Sequence, residues 1–173
     1  MGKAKCKPRP SMPDWYWWWQ DGCWFCKNKN NCNQCKANRS ASKQFPKLKK
    51  EEALVLMDHG TGHFADSAYA ALDYRFKSLG ADNVFVGTVE GYPEIEDVRR
   101  QLRAYGPRKV ILLPLMVVAG DHAVNDMAGE EEDSWKSLLK QDGFETECIL
   151  KGLGEFPEIQ DMYVQHIFKA VAK

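Results

Sequence analysis

Three residues of this 173-residue chain are of the types that hold divalent metal ions or move protons near neutral pH: His59, Glu90 and His122. Each follows a short apolar run. Ala53-Leu54-Val55-Leu56-Met57 leads into Asp58-His59-Gly60-Thr61, and Asn83-Val84-Phe85-Val86-Gly87 leads into Thr88-Val89-Glu90-Gly91. The run Lys109 to Leu115 leads into Val118-Ala119-Gly120-Asp121-His122. One such residue in a loop is commonplace, as a turn histidine, a solvated carboxylate or a helix cap. Three at consecutive strand ends share one edge of a parallel sheet, the edge where α/β proteins place ligands. Two imidazoles and one carboxylate leave coordination positions open on a metal, which suits transfer or catalysis better than a closed structural site. His63 is close enough in sequence to His59 to share the pocket as a substrate-facing base, and equally placed to start a helix.

A second set of candidate ligands lies near the N-terminus. Cys23-x-x-Cys26 and Cys32-x-x-Cys35 follow the aromatic run Trp15-Tyr16-Trp17-Trp18-Trp19. Four thiolates suffice for a tetrahedral Zn²⁺ site, expected ahead of an iron–sulfur cluster. The gap of five residues between the two pairs is shorter than in common zinc fingers. The competing reading is a poorly ordered segment with incidental cysteines, because it has few aliphatic residues from which to build a core. The aromatic run could cover a flat ligand, seal a dimer or touch a membrane surface. Cys6 and Cys148 belong to neither pair, and Cys148 on a strand reads as a small buried hydrophobe.

The elements that must position the three strand-end residues are legible as alternating patterns. The runs at 53–57, 83–87 and 109–115 read as strands buried on both faces, and Phe144 to Leu150 as a fourth. Between them, Asp66 to Leu79, Pro93 to about Tyr105, and Glu130 to Gln141 carry helical periodicity, and Pro157 to Val171 supplies a last helix. Pro93 is expected near the first helical position, with acids in the first turn behind it. Four such units predict a parallel sheet with helices on both faces. Trp135 and Met116 read as core residues, and Arg99, Arg100, Arg103 and Arg108 as a solvated face. Asn125 and Asp126 could cap a helix or support His122 from behind.

Composition divides the chain into residues 1–50, rich in Lys, Asn, Cys and Trp, and an α/β domain over 51–173. The net charge of zero argues against a dedicated nucleic-acid binder. No apolar run approaches the roughly 18 residues of a membrane span. Met1 to Pro10 lacks the apolar stretch of a secretory signal, so a cytoplasmic location and reduced thiols are the expectation.

Three segments carry a family resemblance: His59-Gly60-Thr61, Val86 to Glu94 (VGTVEGYPE), and Leu113 to Met127 (LPLMVVAGDHAVNDM). Glu130 to Lys136 (EEEDSWK) and Leu150 to Glu155 (LKGLGE) extend it. In order and content these resemble the sirohydrochlorin cobalt chelatases of the anaerobic cobalamin pathway. The resemblance implies a chelatase-like, flavodoxin-like sheet and a lyase-type reaction that inserts Co²⁺ into the tetrapyrrole sirohydrochlorin. It also implies that His59 binds metal and acts as base, while Glu90 and His122 complete the metal site. Co²⁺ is then the substrate metal, although the same donors suit Ni²⁺, Zn²⁺ and Fe²⁺. Family members of this type have two similar α/β halves around the tetrapyrrole, and the resemblance covers the C-terminal half. A homodimer is the expected way to complete the cleft, with a separate partner subunit as the alternative. A non-catalytic cobalt or nickel carrier, or an inactive half-chelatase, would keep the same three ligands.

Overall fold

The structure, a computed structural model, describes residues 48–171. One compact unit runs from Leu48 to Glu155, and residues from Phe156 onward belong to a second. The first unit is built on a four-stranded, all-parallel sheet: β1 (Glu52–Asp58), β2 (Val84–Thr88), β3 (Lys109–Pro114) and β4 (Glu145–Cys148), in the order β2-β1-β3-β4. Helices α1 (Ser67–Ser78), α2 (Ile95–Tyr105) and α3 (Trp135–Gln141) connect them.

The strand order follows from the apolar runs. β1 is buried along its centre and pairs on both sides, Leu56 opposite Val86 on β2 and opposite Leu113 on β3. Alternate side chains point to opposite faces. Ala53, Val55, Met57, Phe85, Val110 and Leu112 form one core with Val98 and Leu102 of α2 and Trp135 and Leu139 of α3. Leu54, Leu56, Val84, Val86, Ile111 and Leu113, all buried, line the other face. The chain leaves β1 in one direction along the sheet and recrosses it after β2. Right-handed crossovers therefore put α1 on one face and α2 with α3 on the other. β4 is short and only partly covered, as an edge strand is, and Cys148 at its end is a free thiol packed against the core.

Most boundaries lie within a residue of the sequence expectation, and three differ by more. Pro93 lies before α2: Glu94 is the N-cap, and the Pro93 carbonyl instead accepts bonds from Thr88 N (2.7 Å) and Thr88 Oγ1 (3.1 Å). α3 begins at Trp135, not Glu130, because the Ser134 hydroxyl accepts from Ser137 N at 3.2 Å and starts the helix there. β4 ends at Cys148, short of Leu150. Helix α4 (Pro157–Val171) occupies the expected span, with His166 exposed on it. Among the described residues no helix is long and apolar enough to cross a membrane.

Candidate metal centre

The carboxyl ends of β1, β2 and β3 are tied into one platform by backbone bonds that outrun the sheet. Val89 N donates to Asp58 O (3.0 Å), Glu90 N to His59 O (2.8 Å), and Leu115 N to Met57 O (2.7 Å). Gly60 makes the first loop possible. It has φ +82°, and a Cβ there would fall 2.8 Å from both Gly91 N and Thr88 Cβ. His59 and Glu90 thus stand side by side on neighbouring loops, their Nδ1 and Oε2 atoms 3.7 Å apart.

His122 arrives by a different route. It opens a π-helix, His122–Met127, whose wide turn is closed by Ala128 N donating to Ala123 O at 3.2 Å. Such turns recur at functional sites because they re-aim side chains within a helical run. Ala123 and Met127 bury the inner side of the turn in the core, so His122 projects from a fixed base. Its ring meets that of His59 edge-on, with centroids 4.6 Å apart and planes at 89°.

One ligand atom from each of His59, Glu90 and His122 lies within 4.8 Å of the others. A cation bonded at roughly 2.0–2.2 Å to each would hold them about 3–3.6 Å apart. Side-chain rotations of about an ångström would complete that set. The side chains are 49%, 58% and 32% exposed respectively, so one flank stays open to solvent. A closed structural site would have buried them.

Each ring has an acceptor oxygen beside its Nδ1. His59 Nδ1 lies 3.1 Å from Gly60 O, and His122 Nδ1 lies 2.5 Å from Asp126 Oδ2. With an N–H on each Nδ1, each Nε2 would keep its lone pair, the form that binds metal. Asp126 therefore stands behind His122 and does not cap a helix. Asp58, beside His59, accepts from His59 N at 2.7 Å. Burial raises its carboxyl above the usual carboxylate range, partly opposed by the bonds from the His59 amide and the Tyr69 hydroxyl. Burial and the adjacent Asp58 carboxylate likewise raise the Tyr69 phenol.

His63 performs its helix-start role, its Nδ1 accepting from Ala65 N at 3.2 Å, while its ring stacks on Phe64 with centroids 4.0 Å apart. Three of the four arginines make ion pairs with carboxylates other than Glu90. Arg99 and Arg103 both donate to Asp142, and Arg100 to Asp97. Trp135 is core, and Met116 packs against it partly buried. Cys23, Cys26, Cys32 and Cys35 lie outside the described residues. Sequence reasoning missed Asp58 with Tyr69, and Asp66, whose carboxylate accepts from both Thr61 N and Tyr92 N. These bonds join residues distant in sequence and leave no local pattern.

Residues 25–172 match the family described as Cobalt chelatase (CbiK). The chain is 44% identical over 128 residues to the "Sirohydrochlorin cobaltochelatase" of Salmonella typhimurium strain LT2, covering 74% of this chain and 48% of that protein. It is 36% identical over 124 residues to "Sirohydrochlorin cobaltochelatase CbiKC" of Nitratidesulfovibrio vulgaris strain Hildenborough, covering 72% of this chain and 44% of that one. The chain thus spans about half the length of the curated relatives it matches. With its strand-end cluster of two histidines and a glutamate on a parallel sheet, and with the family match running through all of the described residues, the chain belongs to the cobalt chelatase family.

Proposed function

We propose that this chain binds Co²⁺ through His59, Glu90 and His122 and inserts it into sirohydrochlorin, working as a homodimer whose second copy closes the cleft over the macrocycle. The observation that carries this reading is the convergence of the three ligand atoms at one open sheet edge, in a chain of this family. The relatives' printed names supply the metal and the substrate.

The chemistry is an exchange of metal for protons. Two pyrrole N–H bonds break, four N–Co bonds form, two to the deprotonated nitrogens and two to the nitrogens that carried no proton, and two protons leave. While the ion is held, the His59 and His122 imidazoles and the Glu90 carboxylate occupy it and are not bases. As the ion passes to the macrocycle, the His59 Nε2 lone pair and a Glu90 oxygen become free beside the pyrrole nitrogens. Those two groups accept the two protons, so ligand release and proton uptake are the same event. Asp126 keeps its hydrogen bond to His122 Nδ1 throughout, holding that ring in place when the metal has left. Insertion thus needs groups that hold the ion and then let it go, which an open three-ligand set provides.

The test is anaerobic Co²⁺ insertion into sirohydrochlorin, followed by the change in the macrocycle's absorbance, on protein whose mass in solution is measured in the same buffer. Turnover by a dimer is expected. The half-length match favours a second reading, a carrier that delivers the ion to a separate partner. Stoichiometric Co²⁺ binding with no turnover would decide for it.

A further inference from the structure

The geometry points to Asp66 as a positioning residue for the metal site, a clamp that fixes the His59 loop against the Glu90 loop and so sets the distance between two of the three ligands. This inference rests on the metal-site reading above. Asp66 touches neither ligand. It sits at the end of a single 3₁₀ turn, Phe64–Asp66, just before α1, and only 8% of it is exposed. A carboxylate buried to that degree must be hydrogen-bonded.

Its two oxygens go to different loops. Oδ1 accepts from Thr61 N at 3.1 Å, two residues after His59. Oδ2 accepts from Tyr92 N, two residues after Glu90. The charge-assisted bonds bridge segments that β1 and β2 deliver separately, and one carboxylate serves both. Gly91 completes the arrangement. A Cβ at that position would lie 2.6 Å from both Asp66 Cγ and Oδ2, so the missing side chain is the space the carboxylate fills. Gly60 shows the same closeness from the other side, its hypothetical Cβ 2.8 Å from Gly91 N. Glu90 N donating to His59 O at 2.8 Å seals the junction. The two loops are therefore one body with Asp66 at its centre. Outer groups of this kind typically change metal affinity about 10- to 100-fold when removed.

Two substitutions test the clamp from opposite sides. Asp66→Asn keeps the shape but leaves one amide nitrogen unable to accept, so one loop is released. Gly91→Ala leaves Asp66 intact and displaces its carboxylate. In both, Co²⁺ affinity should fall about 10- to 100-fold, and the visible absorption of the bound Co²⁺ should change as its ligand geometry loosens. Far-UV circular dichroism should stay that of the wild type. Wild-type affinity and an unaltered Co²⁺ spectrum in either folded variant would overturn the assignment. Amide exchange gives a reading that needs no metal. In the wild type, Thr61 and Tyr92 N–H should exchange slowly, and in Asp66→Asn at least one should become fast. If wild-type protein binds no Co²⁺ at all, the metal-site reading fails, and exchange alone decides the clamp. Unprotected Thr61 and Tyr92 amides in the wild type would overturn it even if neither variant folds.

Discussion

His122 and His59 hold their rings by different means, and the difference predicts different sensitivities. His122 Nδ1 is fixed by a carboxylate, Asp126, at 2.5 Å, whereas His59 Nδ1 has only the Gly60 carbonyl at 3.1 Å. Asp126→Asn should therefore weaken Co²⁺ binding about 10- to 100-fold in a chelator competition. His59→Ala should abolish insertion while leaving the melting temperature within a few degrees, since a half-exposed strand-end side chain contributes little to the core. Full activity in His59→Ala would remove it from the mechanism. The three candidate ligands could be read from sequence because each lies in the loop that follows an apolar run, so that the strand's direction puts it at that edge of the sheet. Asp66 could not, because its bond to Tyr92 spans 26 residues and nothing near Phe64 marks it. The choice between a cap and a support for His122 at Asp126 needed the π-turn, which no residue pattern announces.

Helices α2 and α3 are joined by an ion-pair group that runs from Arg99 and Arg103 of α2 to the end of α3. Asp142, just after α3, accepts from Arg99 Nε (2.7 Å), Arg99 Nη2 (2.8 Å) and Arg103 Nη2 (2.7 Å). These bonds, Arg99's foremost, hold the Asp142 carboxyl down to about 2 and raise the Arg99 guanidinium. In an unfolded chain an Asp titrates near pH ~3.9. The group's contribution is thus complete above about pH 4 and fades as pH falls toward 2, where the carboxylate takes up its proton. Asp142→Asn should cost about 1–2 kcal/mol near neutral pH, with the difference from wild type shrinking through that acid window. Denaturant melts at pH 7 and pH 3 would measure it, and an equal deficit at both would contradict the linkage. The four arginines read from sequence as a solvated face are in part this structural tie. At the π-turn, Met127→Ala should cost about 2–4 kcal/mol, because its fully buried side chain anchors the segment that carries His122. A loss of Co²⁺ affinity beyond the loss of stability would show that the anchor also aims the ligand. β1, β2 and β3 were legible because continuous apolar runs admit little else, whereas β4, Glu145-Thr146-Glu147-Cys148, has no such run and its end was misplaced. The start of α2 was misplaced because Pro93 mimics a first helical residue, and that of α3 because the acidic residues Glu130 to Asp133 mimic a first helical turn.

At the scale of the whole molecule, the described sheet presents its three candidate ligands on an open edge, and the chain matches about half of each curated relative. A homodimer would supply the second wall, so sedimentation at micromolar protein should give twice the 19.8 kDa chain mass, with insertion activity following the dimer fraction on dilution. Activity unchanged on dilution to monomer would remove the need for a second copy. The proposed insertion chemistry depends on one site holding one ion. The most direct measurement is an anaerobic Co²⁺ titration of the purified chain, read by the visible bands of bound Co²⁺. The N-terminal cysteines are replaced by serine so that they do not compete. Saturation at one ion per chain, abolished in His122→Ala and Glu90→Gln, is the predicted result. Saturation that survives both substitutions would mean that the metal sits elsewhere, and the account of the strand-end centre would fall.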